Sequence, residues 1–186
     1  MILPIYAFGQ KVLKQVGKEI SQDFEDLDTL IANMWETMYN AKGIGLAAPQ
    51  VGKSLRLFLV DTKQIEEEEQ EHVGIKKVFI NAEMIEESGE EMNYEEGCLS
   101  IPDIRGDVLR QPTIRIWYQD ENFEEHEEDF TGINARVIQH EYDHIEGKLF
   151  TEKLQPLKKR LIKRKLDNIR KGKIAVDYRM RFAVRK

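Results

Sequence analysis

Thr131-Gly132-Ile133-Asn134-Ala135-Arg136-Val137-Ile138-Gln139-His140-Glu141-Tyr142-Asp143-His144-Ile145-Glu146 is the stretch on which the reading of this chain turns. Ile133, Val137, Ile138 and Tyr142 recur at helical spacing and give it one apolar side. Thr131 is placed to cap its start, and Gly147 suits the left-handed position just past its end. The spacing predicts a helix over 131–146. Inside it lies His-Glu-x-x-His, running from His140 to His144. Residues four apart share a helix face. Two imidazoles so placed can grip one metal ion, with the intervening glutamate beside a reactive water. The chain has only four histidines, so a pair at this spacing is informative. The plain alternative is a surface pair with Glu141 merely solvated.

Outward from that helix, residues 21–40 predict another. Leu27, Leu30, Ile31, Met34, Trp35 and Met38 fall at helical spacing, and Ser21 or Asp23 is a candidate cap. A loop of small residues follows, Gly43-Ile44-Gly45-Leu46-Ala47-Ala48-Pro49-Gln50. Strands are expected at 55–60, 78–81, 113–118 and, more weakly, 123–130. Glu66 to Glu71 reads as a solvated acidic loop. A third helix is expected from Leu157 to Arg170, with a narrow apolar stripe of Leu157, Leu161, Ile162, Leu166 and Ile169 on a basic rod. The tail 173–186 alternates enough to predict a late strand. Helices mixed with strands, without regular alternation, give an α+β class. The expectation is short mixed or antiparallel strands around the His-Glu-x-x-His helix, with a C-terminal helix. Residues 1–155 would form the catalytic unit, and 156–186 a basic helix and tail within the same domain.

A hydrolytic metal site needs a third protein ligand and one open position. A third histidine six residues after His144 would make a metzincin, but Phe150 stands there. Glu146 and Glu152 follow the motif too closely, and farther on only Asp167 and Asp177 are acidic. Cys98 in Glu95-Glu96-Gly97-Cys98-Leu99-Ser100 is the better candidate. One cysteine with two histidines is a known catalytic ligand set. The competing reading makes Cys98 a nucleophile with a histidine base. It leaves the helical His-Glu-x-x-His spacing unexplained.

The 186 residues suffice for one domain with a sizeable core. No apolar run reaches the roughly 20 residues of a membrane helix. The N-terminus shows no basic leader, so the expectation is a cytoplasmic protein. A lone cysteine excludes an internal disulfide. The net charge of −6 is uneven. From Lys153 to Lys186 there are fourteen Lys and Arg against two acids, a hint of a polyanionic partner.

Three segments together resemble the peptide deformylases. Gly43-Ile44-Gly45-Leu46-Ala47-Ala48-Pro49-Gln50 is similar to the family's first motif, Glu96-Gly97-Cys98-Leu99-Ser100 to its second, and His140-Glu141-Tyr142-Asp143-His144 to its third. Their order and separation also agree, over roughly residues 1–170. The resemblance implies a hydrolase that removes the formyl group from the N-terminal methionine of newly made proteins. It implies Cys98, His140 and His144 as metal ligands and Glu141 as general base, then acid. Gln50 and the Leu99 backbone N–H would stabilise the oxyanion. Gly45 would bond the substrate backbone. Ile44, Arg105 and the helix around Ile138 and Glu141 would border the methionine pocket. The substrates implied are formyl-methionyl nascent peptides.

The donor set suits zinc (Zn2+), iron(II) (Fe2+), nickel (Ni2+) or cobalt (Co2+). The resemblance favours iron(II) in the cell. The segment 64–71 and the tail after Gly172 lie outside the motifs and are expected not to touch them. Lys158, Lys159, Arg160, Lys163, Arg164 and Lys165 make the third helix strongly basic. The simple reading is a solvated face. Since some family members dock at the ribosome by this helix, weak and salt-sensitive ribosome binding is also expected. Two other functions remain on the table. One is a metallopeptidase with His-Glu-x-x-His and an acidic third ligand. The other is a ribosome- or RNA-binding protein with a structural zinc, which would need a fourth protein ligand.

Overall fold

The computed structural model describes residues 1–65 and 73–184. The segment Leu57–Asp61, here β3, explains the centre of the molecule. All five of its residues are buried. Side chains alternate across a strand. Leu57 and Leu59 accordingly enter one apolar cluster with Leu30, Met34 and Met38 of the helix α1, Leu27–Asn40. Phe58 and Val60 enter a second cluster with Ala135, Val137, Ile138 and Ile145 of α2, Gly132–Ile145. A strand covered on both faces has no polar side, and its run of Leu, Phe and Val follows.

Around β3 lies a five-stranded antiparallel sheet. It is ordered β2 (Gly45–Ala47), β3, β4 (Lys76–Ser88), β7 (Thr113–Gln119) and β8 (Glu125–Thr131). A separate hairpin pairs β5, Met92–Cys98, with β6, Ile101–Arg110. It packs through Ile101, Ile104 and Val108 on a third cluster with Leu149, Phe150, Leu154, Ile162 and Ile169. The last two belong to α3, Pro156–Arg170. A two-residue parallel pair, β1 (Ile5–Tyr6) with β9 (Met180–Arg181), ties the two ends of the described chain together.

The α+β class and all three helices stand as expected, with corrections. The strands are not all short, since β4 has 13 residues and β6 has 10. The expected strand 78–81 is only the buried part of β4; beyond it Glu83, Glu86 and Glu87 face outward and disguise the strand. The hairpin β5–β6 was not foreseen. Its inward positions include Glu96 and Arg110, and Asp103 sits at φ +60° inside β6, which breaks the simple alternation. α1 begins at Leu27, not at residue 21, and Asp26, rather than Ser21 or Asp23, occupies its cap without a side-chain bond. Thr131 holds the cap position of α2, but its side chain makes no capping bond. Gly147 does take the left-handed turn, at φ +68°. On α3 only Ile162 and Ile169 are buried; Leu157 and Leu161 are exposed. The expected late strand shrinks to Met180–Arg181. The acidic loop from Glu66 lies outside the described residues.

Candidate metal centre

His140 and His144 project from α2 on one face, one turn apart, with ring centroids separated by 5.1 Å. Cys98 arrives from the end of β5, and its Sγ lies 3.3 Å from His144 Nε2. One donor atom from each of Cys98, His140 and His144 falls within 4.8 Å of the others. The third donor thus comes from a β-hairpin 42 residues before the helical pair. Two imidazoles and a thiol are the right chemistry for a borderline-soft divalent cation. Cys98 and His140 line a cleft of about 530 Å³ together with Gly45, Gln50 and Glu141.

The ligand orientations are braced from behind. His140 Nδ1 lies 2.9 Å from Glu96 Oε2. A carboxylate there fixes the proton on Nδ1 and frees Nε2 for an ion. Glu96 is buried, yet Arg110 forks onto it at 2.7 and 3.0 Å and extends 2.8 Å to Asp143. Arg136 approaches at 3.4 Å and anchors itself on the carbonyls of Val108 and Met92. Burial would raise the Glu96 pKa, but His140 and Arg110 overcome it and hold the carboxyl at about 2. Burial, with the charge of His140, depresses His144 well below the usual histidine range. A neutral ring there is the form that ligates. Burial lowers the His140 pKa, but Cys98 and Glu96 outweigh it and raise it above the usual histidine range.

Glu141 is buried within the same wall. Burial pushes its carboxyl up to about 7, against the lowering effect of His140. Among the described residues its Oε2 is one of three buried side-chain polar atoms without a hydrogen-bond partner, the others being Gln139 Oε1 and His144 Nδ1. Glu141 lines the cleft, and a carboxyl oxygen without a partner is free to take up a proton. Gly45 is what makes the space. A Cβ there would stand 2.5 Å from Glu141 Oε1.

Gln50 is held by its own loop, its Oε1 accepting from Ala47 N at 2.8 Å. Its Nε2 points at Cys98 Sγ (3.4 Å) and Ser100 Oγ (3.3 Å). Leu99 occupies the turn between β5 and β6 and lines the cleft, as do Ile44 and Arg105. The Arg105 side chain is exposed and paired with Glu95 at 2.8 Å. Ile138 does not border the cleft; it is fully buried in the second apolar cluster, and Ile133 and Val137 line the wall instead. Neither outlying segment is as remote as expected. Gln64 Nε2 donates to the Gly43 carbonyl at 3.2 Å, and Tyr178 of the tail donates to the Leu99 carbonyl at 2.8 Å. The buried brace of Glu96, Arg110, Arg136 and Asp143 was also not foreseen. Only the inward position of a charged residue in a strand marks it, and that requires the hairpin register.

A cysteine, a helical histidine pair and a buried carboxyl beside a cleft, on an α+β frame, are the donor set and acid–base group that a metal-dependent hydrolase requires. The family model for polypeptide deformylase matches residues 2–160, and the chain belongs to that family. It is 58% identical over 189 residues to the peptide deformylase of Christiangramia forsetii, covering 98% of this chain and 96% of that one. The peptide deformylase of Flavobacterium psychrophilum is 55% identical, with both chains fully covered. The crystal structure of a peptide deformylase from Legionella pneumophila superposes with a TM-score of 0.80 at 36% identity, covering 93% of this chain and 98% of that one.

Proposed function

We infer that this enzyme hydrolyses the N-formyl group from the terminal methionine of nascent peptides in the cytoplasm. The observation that carries the reading is the meeting of Cys98, His140 and His144 donor atoms beside the buried, unpartnered carboxyl of Glu141. Cys98, His140 and His144 would hold one divalent ion, iron(II) in the cell, with zinc, nickel or cobalt compatible with the same donors. When bound, that ion would supply Lewis acidity and lower the pKa of a water towards about 7. Glu141 removes the proton from the attacking water and returns it to the departing amine. The Gln50 amide and the Leu99 N–H stabilise the charge that grows on the formyl oxygen. Gly45 leaves Glu141 its space and offers backbone bonds to the peptide. Ile44, Arg105, Ile133 and Val137 border the place of the methionine side chain. Residues 1–155 supply the metal donors and Glu141, and the chain from residue 156 on belongs to the same domain and adds Tyr178 to the cleft.

The formyl carbon bears only hydrogen, so a cramped site admits it and rejects larger acyl groups. Formyl-Met-Ala-Ser should be turned over and acetyl-Met-Ala-Ser should not, with metal analysis on the same sample. Equal turnover of both defeats the reading. Cys98→Ser should lose the metal; retention of a full equivalent would instead favour a peptidase with an acidic third ligand.

The basic face of α3 is proposed as a weak ribosome contact. Lys158, Lys159, Arg160, Lys163, Arg164 and Lys165 are exposed. Such binding should fall steeply with salt. Cosedimentation at low and high salt, with and without residues 153–186, tests it, and unchanged binding after truncation removes it.

A further inference from the structure

The chain after α3 does not wander. Gly172 reverses it at φ +67°, and Met180 and Arg181 then pair with Ile5 and Tyr6. Gln10 Nε2 donates to the Phe182 carbonyl at 2.8 Å, and Val184 N donates to the Arg170 carbonyl at 3.2 Å. With both ends held, residues 173–179 form a strap between α3 and β9 that meets the cleft at Tyr178. Its Ile174 packs on the third apolar cluster, and its Tyr178 turns to the cleft. Tyr178 lines the cleft together with Cys98 and Glu141, and its hydroxyl donates to the Leu99 carbonyl. Burial raises its pKa, so the phenol stays a donor throughout the neutral range.

The turn it touches is short. β5 ends at Cys98, β6 begins at Ile101, and only Leu99 and Ser100 lie between. Ser100 is held twice, its carbonyl by Phe8 N at 2.9 Å and its hydroxyl by Gln50 Nε2 at 3.3 Å. The Leu99 carbonyl takes its bond from Tyr178. The N–H and the carbonyl of Leu99 belong to two peptide planes that meet at one Cα. Pinning the second plane restricts how far the first can swing. A catalytic donor works by being fixed in advance where charge will develop.

We propose that Tyr178 is a positioning residue of the deformylation site, holding the Leu99 carbonyl so that the Leu99 N–H is oriented towards the formyl oxygen. The proposal rests on reading that N–H as an oxyanion donor. It predicts an effect on the chemical step rather than on binding of the ground state.

The test compares Tyr178→Phe, a chain truncated after Gly172 and Gln50→Ala with the unaltered holoenzyme. Each is assayed on formyl-Met-Ala-Ser for kcat and KM, and on Met-Ala-Ser as a competitive product inhibitor. Metal content and melting temperature are measured alongside. Tyr178→Phe keeps the ring and removes only the hydroxyl. Its kcat should fall about tenfold, less than the loss of an oxyanion donor itself. KM, product inhibition, metal content and melting temperature should stay as they are. Truncation should lower kcat at least as far. An unchanged kcat in Tyr178→Phe overturns the proposal, and so does a fall matched by lost metal, a lower melting temperature or weaker product binding. The Gln50→Ala arm separates the two levels. If Gln50→Ala is slow and Tyr178→Phe is not, only the positioning role fails. If neither is slow, the oxyanion reading itself fails.

Discussion

Gly45 and Glu141 are a pair in which the absence of one side chain makes room for the other. No left-handed backbone is involved at Gly45; the constraint is the 2.5 Å that a Cβ would leave to Glu141 Oε1. Gly45→Ala should therefore displace the carboxyl while the three metal donors keep their places. A shift on the order of 1 Å in a reacting group can cost about 100-fold in rate. We expect a kcat/KM lower by that order with an unchanged metal content, measured on a formyl-peptide. Activity within twofold of the parent would show that Glu141 does not need its present position. At the same scale, His140 shows why the ligands cannot be read alone. Its orientation is set by Glu96, and Glu96 remains ionised in the interior only because Arg110 and His140 face it.

At the scale of elements, α2 starts without the usual side-chain cap and ends with a glycine that its surroundings demand. Ser and Thr caps ordinarily contribute about 1 kcal/mol. Thr131, which closes the β8 ladder opposite Thr113, makes no such bond. Thr131→Ala should cost less than about 0.5 kcal/mol in urea denaturation, against that usual value. A loss above about 1 kcal/mol would mean that a capping bond does form in solution. The hairpin β5–β6 matters for a different reason. It carries Cys98 at one end and turns Glu96 inward; the register is regular from Met92 to Gly97 and shifts before Cys98, so an irregularity in the ladder places the thiol. A one-residue slip of the regular part would send Glu96 to the opposite face.

For the whole molecule, the ion and the fold should be thermodynamically linked. The three donors come from two elements that pack on different apolar clusters, the hairpin on the third and α2 on the second. An ion bound to the folded state alone adds stability as RT ln(1 + [ion]/Kd), about 2.7 kcal/mol at 100 times Kd. The melting temperature should rise with added divalent ion in metal-free protein and fail to rise in Cys98→Ser. A metal-independent melting curve for the unaltered protein would contradict a site built across these elements.

The sequence by itself determined the three helices, the α+β class and the residues around which the site is proposed. Those features are local. Helical spacing of Leu30, Met34 and Met38, or of His140 and His144, is written in neighbouring residues, and the run Leu57–Val60 has no polar face to misread. The hairpin was illegible because its inward positions hold Glu96 and Arg110, whose burial makes sense only after they have met each other, Arg136 and His140. The expectation that the helix around Ile138 and Glu141 borders the cleft needed the rotation of α2 against β2 and β3 to show that Ile133 and Val137 line it while Ile138 is buried. The tail carried no local sign of its role, since Tyr178 acquires one only when β9 pairs with β1 at the other end of the chain. Tertiary structure alone decided these points, because burial and long-range pairing are properties of partners brought together from distant segments, and no spacing within one segment records them.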